Sequence, residues 1–438
     1  MISKYVRVVG IDDDVYAIYN NLLFKPVFAR KTEIDEILEE NVSAEYKKAL
    51  KDIGIYIKDQ SVDDVAFERL SNYVHNRKRK VKIMYLIVST FCNLNCKYCF
   101  IERNPSSKAD YGIMSFDIAR EAVNQFFSSL EQDDDGVPEI LFYGGEPLIA
   151  QSTIKETVRY VRENFGEKPK LTIISNGTLL TDSFAKFMNK YRVGIGISID
   201  GPKDITDFGR VFRESNDSVY ENVCEKIEIL KKNNCNYGLS ITITPEVIDK
   251  KEEIFSWILN FGVSDIFWNL YHFPGYDKNW EEFYVKLSDF ILESYDRLTK
   301  NGIRDGRINE LLELFYNDTF KFESCGALGL NQVAIAPNGD IFICHGDNRN
   351  KEKKCGSILE NSSFATALES ENAKQFESLL TIEREECKNC DAFFVCGGGC
   401  PGHAESLFGS RSHIDLSTCI FSKRYLLWIL KKFYEDNA

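Results

Sequence analysis

The sequence is short of the features that would place it at a membrane or on a nucleic acid. No run approaches the ~18 consecutive apolar residues of a membrane-crossing helix, and the opening residues MISKYVRVVGIDDDVY lack the apolar core of a secretory signal. The cytoplasm is therefore the expected compartment, with no membrane partner. Positive charge is also in deficit: 54 Lys and Arg against 67 Asp and Glu leave a net charge of −13. A chain that tracks phosphates carries the opposite balance, so nucleic acid is excluded as an expected partner. There is no internal repeat and no low-complexity tract. What remains is an ordinary globular composition, 44% hydrophobic and 28% charged over 438 residues, enough for one large core or two to three domains.

Cysteine is abundant instead. A reducing compartment does not sustain thirteen cysteines as structural disulfides, and their clustering points to metal ligation. Cys92, Cys96 and Cys99 sit together; Cys224 and Cys235 lie apart; Cys325, Cys344, Cys355, Cys387, Cys390, Cys396, Cys400 and Cys419 crowd the last quarter.

Residues 1–80 mix short apolar stretches with two charged amphipathic segments and end in the polar stretch NYVHNRKRK, which reads as a small α+β extension followed by a linker. From Val81 the pattern predicts strands at VKIMYLIVS, EILFYGG, KLTIISNG, VGIGISID, YGLSITIT and DIFWNLYHF, alternating with helical periodicity. Six βα units imply an α/β fold, a partial (β/α)6 TIM-like barrel over 81–305, with its active site at the C-terminal ends of the strands. Residues 306–438 read as a cysteine-rich domain. It contains a hairpin, QVAIAPNGDIFICHG, turning at Pro337-Asn338-Gly339, and ends in an amphipathic helix, FSKRYLLWILKKFYE.

CNLNCKYCF places three thiols at C-x3-C-x2-C directly after the first barrel strand. Three thiolates can hold three irons of a 4Fe-4S cube and leave the fourth open to another ligand. A zinc knuckle is the competing reading, but it needs a fourth ligand; the nearest His, His75, lies before the strand.

With Tyr98 at the aromatic position, this motif resembles the hallmark of the radical SAM enzymes, C-x3-C-x-aromatic-C. The resemblance implies S-adenosylmethionine (SAM) on the open iron, reductive cleavage of its sulfonium bond, and hydrogen abstraction by the 5′-deoxyadenosyl radical. Matching strand-end motifs follow: Gly144-Gly145-Glu146-Pro147, Ser175-Asn176-Gly177 and Ser198-Ile199-Asp200-Gly201-Pro202, with Arg210 just beyond. The resemblance gives Glu146 and its neighbours the methionine amino group, the Ser and Asp positions the ribose and methionine moieties, and Arg210 the carboxylate.

Cys387-x2-Cys390-x5-Cys396-x3-Cys400, with Cys325, Cys344 and Cys419 around it, is similar to the SPASM extension of radical SAM enzymes, which carries two auxiliary 4Fe-4S clusters. The resemblance assigns Cys387, Cys390, Cys396 and Cys419 to one and Cys325, Cys344 and Cys400 to the other, making three clusters with the first. The fourth ligand of the last is either Cys355 or an open position. Cys224 and Cys235 read as ordinary thiols. His345 reads as a cluster-tuning or turn-capping residue, His403 and His413 as surface residues or neighbours of ligands, and Trp268 and Tyr271 as cavity-lining residues.

SPASM enzymes mostly modify peptides or proteins. The reading is therefore an oxidoreductase, a peptide (RiPP) maturase that installs a thioether or C–C crosslink in a ribosomally made precursor, with an electron donor such as ferredoxin or flavodoxin. The 80-residue extension resembles the small elements that bind leader peptides by strand addition; a structural brace is the other reading. The alternative activity is an anaerobic sulfatase-maturating enzyme that forms formylglycine. Those enzymes start almost directly with the barrel and carry an Asp after the hairpin Cys, where this chain has His345. An iron-sulfur electron carrier would need the cysteines but none of the strand-end motifs.

Overall fold

Strict two-residue alternation shapes the central sheet. In Glu139–Gly144, Lys170–Ser175 and Val193–Ser198 every second residue is fully buried against the flanking helices, and the intervening ones are mostly half-buried and face inward. The computed structural model describes residues 1–103, 110–130, 136–272, 279–317, 319–360 and 363–437. Its strands are β1 (Val6–Gly10), β2 (Val15–Asn20), β3 (Val27–Arg30), β4 (Ile83–Ser89), β5 (Glu139–Gly144), β6 (Lys170–Ser175), β7 (Val193–Ser198), β8 (Tyr237–Ile243), β9 (Asp265–Leu270), β10 (Arg304–Asp305), β11 (Gln332–Ile335), β12 (Asp340–Phe342) and β13 (Gly356–Ser357).

All six expected barrel strands form, as β4 to β9, and pair in parallel in sequence order. Helices Phe116–Ser129, Gln151–Phe165, Asp182–Lys190, Val219–Lys232 and Lys251–Phe261 cover them. Ser115, Thr181 and Ser218 cap three of these by accepting backbone N–H bonds. The architecture is the expected partial barrel. Strand β9 stops at Leu270, short of the expected end, and Phe273 lies outside the described residues.

The hairpin forms as expected, with Gly339 at φ +87°, but it is not confined to a separate layer. Its first strand β11 pairs in parallel with β4, from Gln332↔Ile83 to Ile335↔Leu86, so β11, β12 and β13 extend the barrel sheet itself. The pairing carries Cys344 to the edge of the barrel mouth. Nothing in the local pattern announces it, because the two strands lie about 250 residues apart.

At the other end of the chain, β1, β2 and β3 form an antiparallel meander with its own core of Ile18, Ile34, Ile37, Leu50, Ile55 and Tyr56. The polar stretch expected as a linker from Asn72 onward is half helix. The helix Gln60–Asn76, capped by Asp59, turns Asp63, Phe67, Leu70 and Val74 inward, which leaves only 77–82 as connection. The buried Asp63 accepts from Ser3 Oγ at 2.7 Å and Lys4 N at 2.8 Å. The last helix, Leu416–Asn437, starts five residues before the expected Phe421, so Cys419 lies in its first turn. It packs on Trp280–Thr299 through Arg424 to Asp289 at 2.6 Å and Trp428 to Asp296 at 3.1 Å. Among the described residues no helix is long and apolar enough to cross a membrane.

Candidate functional site

The loop that carries Cys92, Cys96 and Cys99 is held from two sides. Asn95 N and Lys97 N donate to Val211 O and Gly209 O at 2.8 and 2.9 Å, and Arg213 N donates to Asn93 O at 3.0 Å. On the other side Asn176 Nδ2 donates to Asn93 Oδ1 at 3.0 Å and lies 4.0 Å from the Cys92 sulfur. Burial pushes the Cys92 thiol to about 12 and the Cys96 thiol to about 11; Cys96 and Cys99 add to the first and Cys99 to the second. All thirteen cysteines are free. The loop offers three cysteines, where a zinc knuckle needs four ligands. Three half-buried thiols on one short loop are a donor set suited to a polynuclear iron-sulfur group, whose positive irons favour the thiolate.

Around this loop the strand-end motifs meet. Glu146 is buried and accepts from Ser175 Oγ at 2.7 Å and from Asn176 N and Leu148 N at 2.8 Å. Burial nevertheless lifts its carboxyl to about 7. The glycines before it serve the chain: a Cβ on Gly144 would lie 2.1 Å from Ser89 O, and one on Gly145 2.3 Å from Phe91 O. Only glycine lets the end of β5 lie this close to the strand entering the cysteine loop, so its backbone freedom is spent there. Pro147 opens the buried turn Pro147–Ala150. Ser198 is half-buried and makes no side-chain hydrogen bond among the described residues.

Asp200, Arg210 and Tyr98 come together, bonded to one another. Arg210 grips Asp200 with Nε at 2.8 Å and Nη2 at 2.9 Å, Tyr98 donates its hydroxyl to the same carboxylate, and Thr242 N adds a fourth donor at 3.0 Å. The guanidinium also acts on Cys96. Asp200 is thereby a strut between the cysteine loop and strands β7 and β8.

The auxiliary cysteines fall into two neighbourhoods. Burial raises the Cys387 thiol to about 12 and the Cys419 thiol further, and Cys387, Cys390, Cys396 and Cys419 act on one another. Burial likewise raises Cys344, and Cys400 to about 12, each in the field of Cys325. Cys325 keeps exposed surface, and burial of its surroundings still raises its thiol. Cys400 leaves its own run because Asp415 holds it: Asp415 accepts from Cys400 N at 2.9 Å, Thr418 Oγ1 at 2.7 Å and His403 Nδ1 at 3.0 Å, tying this loop to the helix that bears Cys419. The Cys355 thiol donates to Lys353 O at 3.5 Å, and burial raises it; Asp347 and Arg411, which act on Cys344, act on it as well.

Between Cys99 and Cys344 stands an aromatic wall. Tyr143 feels both thiols. The His345 ring stacks on Tyr85 at 4.4 Å and meets Tyr143 edge-on at 5.1 Å. Phe100 reaches the turn after Cys344, since a Cβ on Gly346 would lie 3.3 Å from its ring. Burial lowers His345 to about 4 and His272 to about 3, so both are neutral at pH 7. His345 Nδ1 is buried without a partner among the described residues, which excludes turn-capping through that nitrogen. His403 is not on the surface: it is 1% exposed, bonded to Tyr284 Oη at 2.7 Å and to Asp415. His413 is exposed. Trp268 is core, edge-on to Phe290 at 5.0 Å, and does not line the cavity; Tyr271, half-buried, lies 6.5 Å from Tyr98. Tyr85, Tyr143 and His272 were not singled out from the sequence. Their inward register on β4 and β5, and the position just past β9, were the available signals.

Residues 86–258 match the radical SAM superfamily and 325–391 the SPASM iron-sulfur cluster-binding domain. The chain is 25% identical to the radical SAM cyclopropyl synthase TigE of Paramaledivibacter caminithermalis, over 99% of this chain and 96% of that one. It is 26% identical to a cysteine-type anaerobic sulfatase-maturating enzyme of Clostridium perfringens, over 71% of this chain and 86% of the relative. Among solved structures, the native maturase anSMEcpe with bound AdoMet superposes with TM-score 0.67 at 21% identity, covering 81% of this chain and 97% of that one. Streptococcus suis SuiB bound to its precursor peptide SuiA superposes at 0.58 and 15%, covering 96% and 99%. Three thiols at the mouth of a partial barrel, with a second, cysteine-rich region after the strands that extend the same sheet, agree with both domain matches: the chain is a radical SAM enzyme with a SPASM iron-sulfur domain.

Proposed function

We propose that this enzyme is a peptide maturase that closes a crosslink, thioether or C–C, in a ribosomally made precursor. The carrying observation is the N-terminal α+β unit. It has its own core and a three-stranded sheet with two edges, the form that a strand-adding leader peptide requires. Likeness to TigE and SuiB runs through this unit, whereas the sulfatase maturase matches 71% of the chain. His345 after the hairpin cysteine, where sulfatase maturases carry Asp, supports the same choice.

In this reading Cys92, Cys96 and Cys99 hold the radical cluster. Glu146 receives the SAM ammonium, with Ser198 and the Tyr98–Asp200–Arg210 unit beside it. Cys387, Cys390, Cys396 and Cys419 hold one auxiliary cluster. Cys325, Cys344 and Cys400 hold the other, its fourth position open, since Cys355 faces Lys353. When bound, the radical cluster and SAM supply the deoxyadenosyl radical that takes one hydrogen atom from the peptide. Closing the crosslink releases a second hydrogen as a proton and an electron, and auxiliary clusters held by these cysteines would supply the acceptor for that electron, with a carrier such as ferredoxin or flavodoxin as the partner. The wall of Tyr85, Tyr143, Phe100 and His345 faces the peptide.

The test is anaerobic turnover with SAM, dithionite and a precursor peptide encoded beside the enzyme. The expected result is 5′-deoxyadenosine and a peptide two hydrogens lighter. A cysteine sulfur exchanged for oxygen with loss of two hydrogens, or a serine turned into a carbonyl-reactive aldehyde, would identify formylglycine formation instead, and absence of 5′-deoxyadenosine would sink both.

A further inference from the structure

The inward-facing row of the sheet that contains Ser198 runs to the open side of the barrel. Ser198 pairs with Ser240 on β8 and Ser240 with Phe267 on β9, and partners in a parallel sheet point the same way. Ile266 and Trp268, on either side of Phe267, are buried outward, Trp268 against Phe290. Phe267 therefore faces the barrel interior, where it is 42% exposed. Next to β9 lies β10, two residues long, and there the sheet ends.

Arg307 stands just past that edge, in the first turn of helix Gly306–Tyr316. Asp305 caps the helix by accepting from Arg307 N at 3.0 Å and Ile308 N at 3.2 Å, which fixes the backbone. The half-buried side chain turns back over the sheet: Nε donates to Trp268 O at 3.0 Å, and the guanidinium lies 5.2 Å from the centre of the Phe267 ring. That clamp uses Nε alone. Both Nη groups are without an acceptor among the described residues, and Asp305 and Glu310 act on the charge from beyond ion-pair distance. Burial lowers the guanidinium from its ordinary value, as it does for a cation drawn out of water without a close counter-charge. A planar cation fixed on an aromatic face, with the rest of its fork of donors free, is preorganised for a carboxylate.

We propose that Arg307 is a specificity-determining residue that binds a carboxylate of the peptide substrate, either an Asp or Glu side chain or the C-terminus. In a chain of net charge −13 an acidic substrate needs such a local cation. Two strand spacings, roughly 10 Å, separate Ser198 from Phe267, and an extended peptide covers that span in about three residues. The carboxylate therefore lies within about three residues of the position that loses its hydrogen. The inference rests on the proposed function, a peptide substrate with SAM beside Ser198.

The test measures steady-state modification of the precursor peptide encoded beside the enzyme, by the reconstituted full chain with SAM and dithionite. The native peptide is compared with one whose Asp and Glu residues near the modified position are changed to Asn and Gln, and with one amidated at the C-terminus. One neutralised peptide is expected to raise KM about tenfold, the size of a lost charged hydrogen bond, with a much smaller change in kcat. Which of them does so names the source of the carboxylate. Arg307→Gln should raise KM for the native peptide to a similar extent and add nothing further for that neutralised peptide. Equal KM for every peptide with the wild type would overturn the inference, whether or not Arg307→Gln folds. So would an equal loss by Arg307→Gln on every peptide, the mark of a clamp on Trp268 alone, or a loss of SAM affinity in place of peptide affinity. A wild type that modifies no peptide ends the proposed function and this inference with it, whereas modification of all of them alike ends the inference alone.

Discussion

The two cysteine systems are built in opposite ways. Cys92, Cys96 and Cys99 lie in one eight-residue loop, and the fold needs only to brace it, through Val211, Gly209 and Asn176. The auxiliary cysteines come from separate segments: a loop before β11, the end of the hairpin, the run 387–400 and the first turn of the last helix. Their grouping depends on long-range ties, β11 to β4, Asp415 to Cys400 and Tyr19 to Asp391. A local site is legible from spacing; an assembled one is legible only in composition until the fold gathers it.

The largest expected effect separates the two directly. Replacing Cys92, Cys96 and Cys99 together by Ala should abolish 5′-deoxyadenosine formation while leaving roughly eight irons per chain, if both auxiliary sites hold 4Fe-4S clusters. Iron analysis showing only about four would break the division into two auxiliary sites.

Next comes the strut behind the local loop. Asp200→Asn leaves the buried Arg210 without its counter-charge, and breaking a buried pair of this kind costs about 3–5 kcal/mol. Thermal denaturation should register that loss, and SAM cleavage should fall with it. An unchanged melting temperature would mean that the loop is stable without the strut.

Glu146 gives a pH dependence confined to the same side. Its folded carboxyl titrates at about 7, above an ordinary value near ~4.3. The protonated form is thus favoured by the fold, and its contribution to the stability of the SAM-free enzyme is full below the ordinary value and lost as pH rises through about 7. Binding of an ammonium group needs the carboxylate, so SAM affinity should rise over that same interval. In Glu146→Gln both trends should flatten, and calorimetric titration from pH 5.5 to 8.5 would expose any that persists.

The smallest effect sharpens the assembled side. Cys355→Ala should leave the iron content unchanged, because the thiol donates to Lys353 O. Loss of iron would restore it as the fourth ligand.

Much of this was readable from the chain. The six barrel strands followed from two-residue alternation, the hairpin from Pro337-Asn338-Gly339, and the candidate loop from C-x3-C-x2-C with Tyr98. The errors have specific causes. Asn72–Asn76 looked like linker because its polar residues hide a helix whose inward face is only Asp63, Phe67, Leu70 and Val74. Trp268 looked like a cavity residue because it sits on the last barrel strand, but its register turns it to Phe290.

By itself, then, the sequence determined the periodicities, the turn residues and the spacing of the first three thiols, all set by forces acting over a few residues. The tertiary structure alone decided that Asp200, Arg210 and Tyr98 bind each other, that the hairpin extends the barrel sheet, and that Tyr19 reaches Asp391. Those outcomes are hydrogen bonds, ion pairs and strand pairings between residues far apart in the chain. Such pairs carry no spacing, and only the packing of the whole core brings them within bonding distance.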